Sequence, residues 1–328
     1  MSDERGSACS MIGVDVGGTK VAAGFVNERG EMGEYLRVPM NPHGTAEQGF
    51  SAVAAVLDVL LGEKSAGAKF PIGICAPGPL DPWTGVVLNP PNLPCWRDFP
   101  LAEEIRRRYG VNAIVDNDAN AAALAEGLWG AGRGCGNVLY ACIGTGIGTG
   151  IVLDGQIFHG RTGSAAEGGH VSIDFRGPRC NCGKRGCIEA LASGTAIARR
   201  AREAVVADAN RGAGLLAMAG GDVAAIRSEM VARAAGEGDG LAREILSETM
   251  EYLAAWLGNI VDLLEPDVMI LGGGVGEMLR PQFSEIQERM KKWCVNAKYA
   301  EIPLVPAHYG ENSGIAGGAA LAMRARCS

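Results

Sequence analysis

The sequence predicts an α/β protein of two domains, and three observations point there. Its 328 residues are 47% hydrophobic and 20% charged, enough apolar side chain to fill more than one core. Two strand–glycine turn–strand hairpins, one turning at Gly17 and the other at Gly144, suggest a duplicated domain with one hairpin from each half facing a shared cleft. Helical patterning fills most of residues 192–264 and then gives way to an apolar strand at Val268 to Leu271.

Taken in order, a short polar arm at residues 1–10 leads into a strand from Met11 to Val16. The turn Gly17-Gly18-Thr19-Lys20 follows, then a second strand, Val21 to Val26. Asn27-Glu28-Arg29-Gly30 is a further turn before Glu31 to Val38, so the chain begins as an antiparallel meander. Gly49 to Leu61 has helical apolar spacing, and Phe70 to Cys75 reads as a buried strand entering Ala76-Pro77-Gly78-Pro79. A proline-rich loop holding Asn89-Pro-Pro-Asn92 precedes a helix at Leu101 to Tyr109 and a short strand at Ala113 to Val115. An alanine-rich helix spans Asn117 to Trp129. The second hairpin then runs as strand Val138 to Ile143, glycine turn Gly144 to Gly150 and strand Ile151 to Leu153. A small-residue helix from Gly314 to Arg326 ends the pattern.

Thirty basic against 37 acidic residues give a net charge of −7, which argues against a duplex-binding surface and against docking on anionic lipid. No nucleic-acid or membrane partner is expected. The N-terminal residues lack an apolar signal core, and no stretch of about eighteen residues is free of charge and dense glycine, so a cytoplasmic location is expected. Seven of the ten cysteines, Cys9, Cys75, Cys95, Cys135, Cys142, Cys294 and Cys327, are scattered and read as reduced thiols.

The remaining three are clustered. His170, Cys180, Cys182 and Cys187 put one imidazole and three thiols within eighteen residues, with Glu189 just beyond. Four soft donors suit a closed tetrahedral zinc, and Gly183 and Gly186 let the loop fold back so that Cys182 and Cys187 reach one ion. A disulfide loop, an iron–sulfur cluster or thiols merely near in sequence compete. Cys-x-Cys is cramped for a disulfide, and the histidine completes a zinc set without a fourth thiol. A metal with all four positions filled by protein does no chemistry, so the knuckle is expected to shape something else.

Glycine turns let backbone N–H groups converge on a phosphate. Asp15-Val-Gly17-Gly18-Thr19-Lys20 adds a carboxylate able to hold Mg²⁺ through water, a hydroxyl and an ammonium; Gly144-Thr145-Gly146 adds a hydroxyl, and Gly272-Gly273-Gly274 is a third glycine run. The two hairpin turns fit neither a Walker loop nor the dinucleotide fingerprint, since each leads into a strand. ATP is the ligand they suggest together. At the strand-to-helix junction, Asn117 and Asp118 are each a candidate N-cap, and Asp118 is also a candidate general base.

In order along the chain, Asp15 to Lys20, the run Asn117-Asp118-Ala-Asn-x-Ala-Ala-Leu-Ala-Glu126, Gly144 to Gly150, Glu167-x-Gly169-His170 and Cys180-x-Cys182-Gly-x-x-Gly-Cys187-x-Glu189 resemble the ROK family of sugar kinases, repressors and open reading frames. Within it, the bacterial ATP-dependent glucokinases are the nearest in pattern. The resemblance implies an actin-like (ribonuclease H-like) two-domain sugar kinase fold with an interlobe cleft. Residues 1–118 plus a C-terminal helix at about 313–328 would form the small domain, and 119–312, with the zinc knuckle, the large one. It implies ATP-dependent phosphorylation of a hexose at its 6-hydroxyl, with glucose ahead of N-acetylmannosamine, N-acetylglucosamine or fructose, and it leaves polyphosphate open as a donor. By the same resemblance Asp118 is the catalytic base. Asn92, Asn117, Glu167, His170 and Glu189 bind sugar hydroxyls, Gly78 makes a backbone contact with the sugar, and the three glycine runs with Asp15, Thr19, Lys20 and Thr145 hold ATP and its Mg²⁺. His170 would give one ring nitrogen to zinc and the other to the sugar.

The pattern departs from the family at Gly168, where a branched aliphatic is usual. Extra backbone freedom there is expected to loosen Glu167. Only ten residues precede the first strand, too few for the winged helix-turn-helix of a repressor, so a sugar-responsive repressor is the less favoured reading. A homodimer, or a dimer of dimers, is the expected assembly.

Overall fold

The computed structural model describes residues 10–62 and 70–327, with side chains described up to residue 324. The polar arm up to residue 9, including Cys9, and the side chain of Cys327 lie outside the described part. The chain divides into two compact units, one of Met1–Tyr140, Gly150–Ala166 and His308–Ser328, the other of Ala141–Thr149 and Glu167–Ala307.

The strands, in chain order, are β1 (Met11–Val16), β2 (Lys20–Val26), β3 (Met32–Pro39), β4 (Ile72–Ala76), β5 (Leu80–Asp81), β6 (Val86–Val87), β7 (Ala113–Asn117), β8 (Val138–Ile143), β9 (Ile147–Leu153), β10 (Gln156–Ile157), β11 (Val268–Gly272) and β12 (Leu304–Pro306). One sheet is ordered β3-β2-β1-β4-β7 and another β10-β9-β8-β11-β12, while β5 and β6 form a small hairpin. Counted within its own sheet, each set of five strands therefore reads third, second, first, fourth, fifth, the repetition expected from the paired hairpins. The opening meander is antiparallel, and β1, β4 and β7 run parallel with Asp15 opposite Cys75 and Cys75 opposite Asp116.

In the first unit, Ile12, Val14, Val53, Leu57, Ile74 and Trp96 belong to one fully buried core cluster. The helix facing it, Ala46–Leu61, starts three residues before its apolar periodicity because Thr45 and Gln48 form a reciprocal capping box. The helix Ser313–Cys327 packs against β1, β4 and the helix Asp118–Leu128 so closely that at several glycines no side chain would fit. A Cβ at Gly13 would sit 1.8 Å from the carbonyl oxygen of Ile315, one at Gly73 1.9 Å from that of Gly318, and one at Gly317 2.8 Å from the backbone carbon of Ala121.

The second unit is mainly helical, with Gly194–Ala207, Ala213–Met218, Ser228–Gly236 and Gly240–Leu264. The last of these buries Leu241, Ile245, Leu253, Trp256, Leu257 and Val261 and leaves Leu263 exposed near its end. No helix among the described residues is long and apolar enough to cross a membrane.

The second glycine turn is shorter than its composition suggests. Its strand begins at Ile147, and Gly150 lies within β9. Gly150 serves packing instead: a Cβ there would lie 2.3 Å from the carbonyl oxygen of Ala119.

Because the obstacle at Gly73 is backbone, no rotamer change can relieve it. Gly73→Ala should lower stability by at least the ~1–3 kcal/mol typical of overpacking. Gly240→Ala, at a helix position with open space, should be neutral or stabilise by about 0.5 kcal/mol. Urea midpoints at unchanged m-value check both.

Candidate functional site

In the first unit the candidate residues gather where three parallel strands end. Asp15, Cys75-Ala76 and Asp116-Asn117 are register partners at the carboxyl ends of β1, β4 and β7, the edge at which open α/β sheets take ligands. The turn after β1 closes through the Gly17 N–H donating to the Lys20 carbonyl at 2.9 Å. Gly18 rests on the backbone of Asn92, since a Cβ there would meet the Asn92 oxygen at 2.4 Å. Thr19 and Lys20 are exposed at the tip. Burial pushes the Asp15 carboxyl above its usual range, while the Cys75 thiol and the charges of Lys20 and Arg37 pull it back.

Asn117 takes the N-cap of the helix Asp118–Leu128, its Oδ1 accepting from the N–H groups of Ala119 at 2.9 Å and Asn120 at 3.4 Å. Asp118 is the first helical residue, where the helix dipole stabilises a carboxylate. A Cβ at Gly78 would lie 3.4 Å from Asn117 Nδ2, which places Gly78 beside the cap. Burial, with the charges of Asp15 and Asp118 added, pushes the Cys75 thiol well up, so it stays protonated between those carboxylates.

Sequence reasoning missed Asp116. Its carboxylate is buried and accepts from the Asn117 N–H at 2.7 Å and from Asn120 Nδ2 at 3.1 Å, with His159 Nε2 at 2.6 Å. These bonds fix both sides of the junction that carries Asp118. An aspartate preceding Asn117-Asp118 was visible in the sequence, but nothing there pointed to a histidine 43 residues away.

In the second unit the knuckle closes as its spacing suggests. A ring nitrogen of His170 and the sulfurs of Cys180, Cys182 and Cys187 all lie within 4.8 Å of one another. The Cys180–His170 separation is 3.5 Å and the Cys182–Cys187 separation 3.6 Å. Donors on a tetrahedral zinc with bonds of about 2.0–2.3 Å stand roughly 3.3–3.8 Å apart, so the set fits a closed N/S metal site. Gly183 and Gly186 take φ of +91° and +62°, and a Cβ at Gly186 would collide with the Asp174 carbonyl at 1.6 Å. Since Nδ1 faces the Cys180 sulfur, Nε2 is the ring nitrogen left for another partner.

Glu189 joins this knuckle to the glycine turn. One carboxylate oxygen accepts from the Ile147 N–H at 2.9 Å, and the other lies 3.9 Å from His170 Nδ1. Glu167 immediately precedes the single 3₁₀ turn Gly168–His170, and its carbonyl accepts from the His170 N–H at 3.0 Å. Gly168 is held rather than loosened. Its N–H donates to Thr149 Oγ1 at 2.8 Å and its carbonyl accepts from Trp256 Nε1 at 3.1 Å.

Two glycine runs meet in one pocket of 240 Å³ within this unit, where Gly144, Thr145, Thr195, Arg202, Gly274 and Met278 are among the lining residues. Thr195 Oγ1 donates to the Thr145 carbonyl at 2.7 Å and fixes the turn. The helices Gly194–Ala207 and Ser228–Gly236 begin at this pocket, and their N-terminal dipoles favour phosphate there. Gly146 stands instead against Glu189, since a Cβ there would meet Oε2 at 2.5 Å. Gly272 closes β11, and Gly273, at φ +78°, lies against the Ile143 backbone.

Comparison with known proteins agrees with this arrangement. A glucokinase of Thermotoga maritima is 33% identical over 95% of this chain and 96% of its own length. An N-acetylmannosamine kinase of Escherichia fergusonii is 29% identical over 95% of this chain and 98% of its own. The solved structure of a ROK family glucokinase from Streptomyces griseus in complex with glucose and AMPPNP superposes with a TM-score of 0.78 at 35% identity, covering 96% of this chain and 99% of that one. The ROK family model matches residues 11–325, nearly the whole sequence, and the chain belongs to the ROK family.

Proposed function

We propose that the protein is an ATP-dependent hexose kinase that transfers the γ-phosphoryl group of ATP to the 6-hydroxyl of glucose. The observation that carries this reading is the junction at Asn117-Asp118. Asn117 performs the capping, so Asp118 is a carboxylate at a helix start whose surroundings are fixed by the Asp116 hydrogen bonds. In phosphoryl transfer the protein positions and neutralises, and one carboxylate orients the attacking hydroxyl and accepts its proton. Asp118 takes that role. The sugar oxygen forms the new P–O bond, the bond from the γ-phosphorus to the β,γ-bridging oxygen breaks, and ADP leaves.

The other assignments follow residue type. Asn92, Asn117, Glu167, His170 and Glu189 offer carboxamide, carboxylate and imidazole groups suited to a polyol, and Gly78 offers backbone. The pocket at Gly144, Thr145 and Gly274 takes the nucleotide, with Gly146 shaping the turn against Glu189, Gly272 and Gly273 setting the third run, and Gly17, Gly18, Thr19 and Lys20 serving the phosphates. Mg²⁺, bound with the nucleotide, supplies charge neutralisation at the transferred group, and Asp15 is the carboxylate that would hold it through water. Zinc is the ion the three thiolates and His170 Nδ1 would hold, and its contribution is orientation: it fixes the tautomer that presents Nε2 to a sugar hydroxyl. The near-equal coverage of a glucokinase and an N-acetylmannosamine kinase keeps the N-acetylhexosamines as the alternative substrate class.

ADP release over a panel of hexoses and N-acetylhexosamines should give glucose the highest kcat/KM, and no turnover on any hexose would sink the proposal. Asp118→Asn should lower kcat by about 10²–10⁴, the scale of a lost general base, with hexose KM little changed; near-normal turnover would remove Asp118 from the role. Cys182→Ser should lose bound zinc, read by metal analysis, and raise hexose KM through a displaced His170. A metal-free variant with unchanged KM would reduce the knuckle to scaffolding.

A further inference from the structure

The turn that carries Glu167 and His170 has no side chains of its own at its centre, where Gly168 and Gly169 stand. Its orientation is therefore set from outside. Gly169 is seated on β9, since a Cβ there would lie 1.9 Å from the Ile147 carbonyl oxygen. Gly168 is clamped on both backbone groups, by the Thr149 hydroxyl and the Trp256 indole N–H. Both anchors are interior: Thr149 is 5% exposed and Trp256 is fully buried.

Gly168 does not adopt a left-handed backbone, so conformation does not demand glycine there. Space does. A Cβ at Gly168 would lie 2.7 Å from Thr149 Oγ1, 3.2 Å from its Cγ2 and 3.3 Å from its Cβ. The threonine side chain thus occupies the volume that a side chain at position 168 would need, and its hydroxyl accepts the hydrogen bond that holds the turn. The departure from the family pattern at Gly168 has a partner in space at Thr149.

We infer that Thr149 is a positioning residue for hexose binding: paired with Gly168, it aims Glu167 and His170 at the sugar. This rests on the reading of Glu167 and His170 as sugar-binding residues. Without the hydroxyl, the part-buried Gly168 N–H loses its acceptor, and the turn relaxes at the cost of the hydrogen bonds its two flanking side chains make to the substrate. Neither the nucleotide pocket nor Asp118 includes Thr149, so the effect should fall on hexose affinity.

The test is steady-state kinetics of Thr149→Val, which keeps the branched shape and removes the acceptor, beside Thr149→Ser, which keeps the hydroxyl. Thr149→Val should raise hexose KM about three- to tenfold, the span of one net hydrogen bond, with ATP KM and zinc content unchanged. Thr149→Ser should restore near-normal KM. An unchanged hexose KM in folded Thr149→Val, or an equal loss in Thr149→Ser, overturns the inference. Should Thr149→Val not fold, Gly168→Ala and the double variant Thr149→Gly/Gly168→Ala decide: a hexose KM in the double variant below that of Gly168→Ala alone supports the pairing, and an equal or higher one overturns it. Glu167→Gln separates the two levels. If it leaves hexose KM unchanged, the sugar-binding reading falls and the inference with it; if it raises KM while Thr149→Val does not, the inference alone falls.

Discussion

The first unit depends on a contact in which backbone meets backbone at a line of glycines. The helix Ser313–Cys327 lies on β1 and β4 through Gly13, Gly73 and Gly318, and on the helix Asp118–Leu128 through Gly317. Dispersion between backbones at this range is strong for the area covered, but it admits no extra methyl group. Two candidate residues are placed as a result. A Cβ at Gly314 would lie 2.3 Å from Asp15 Cγ, so the start of this helix defines the surroundings of that carboxylate. Its middle supports the helix whose first residue is Asp118.

The second unit reaches the same economy through one strand. Ile147 N–H holds Glu189, the Ile147 carbonyl seats Gly169, and the Thr149 hydroxyl holds Gly168. Three groups on two residues at the start of β9 thus anchor both the carboxylate after the knuckle and the turn before it. His170 and Cys187 are bracketed by those anchors, which explains how a cluster read from spacing alone comes to lie beside the glycine turn at Gly144–Gly146.

Features whose cause is local were legible in the sequence. The knuckle is one: its histidine and three cysteines fall within eighteen residues, and the positive φ of Gly183 and Gly186 answers to the small residues seen between the cysteines. The paired hairpins are another, and they anticipate the repeated strand order of the two sheets. The start of the helix at Ala46 was available too, in Thr45 and Gln48, but apolar periodicity drew attention to Gly49. What stayed hidden joins distant segments. Asp116 meets His159, Gly150 meets Ala119, and Gly168 meets Thr149 and Trp256. Read locally, Gly150 belongs to a loop and Gly168 to a loosened turn; their neighbours in space reverse both readings.

The glycine-lined seat of the last helix also bears on how the protein is made. β1 emerges from the ribosome well before Ser313–Cys327, with the whole second unit synthesised in between. The meander and β4 can pair early, but the face that receives this helix, with Met11, Ala22 and Val26 in its apolar cluster, has no cover until the helix itself has been made. Contacts spanning some three hundred residues form late and leave hydrophobic surface exposed meanwhile. The second unit, apart from the short segment Ala141–Thr149, is a continuous stretch from Glu167 to Ala307 and can assemble while the first still waits.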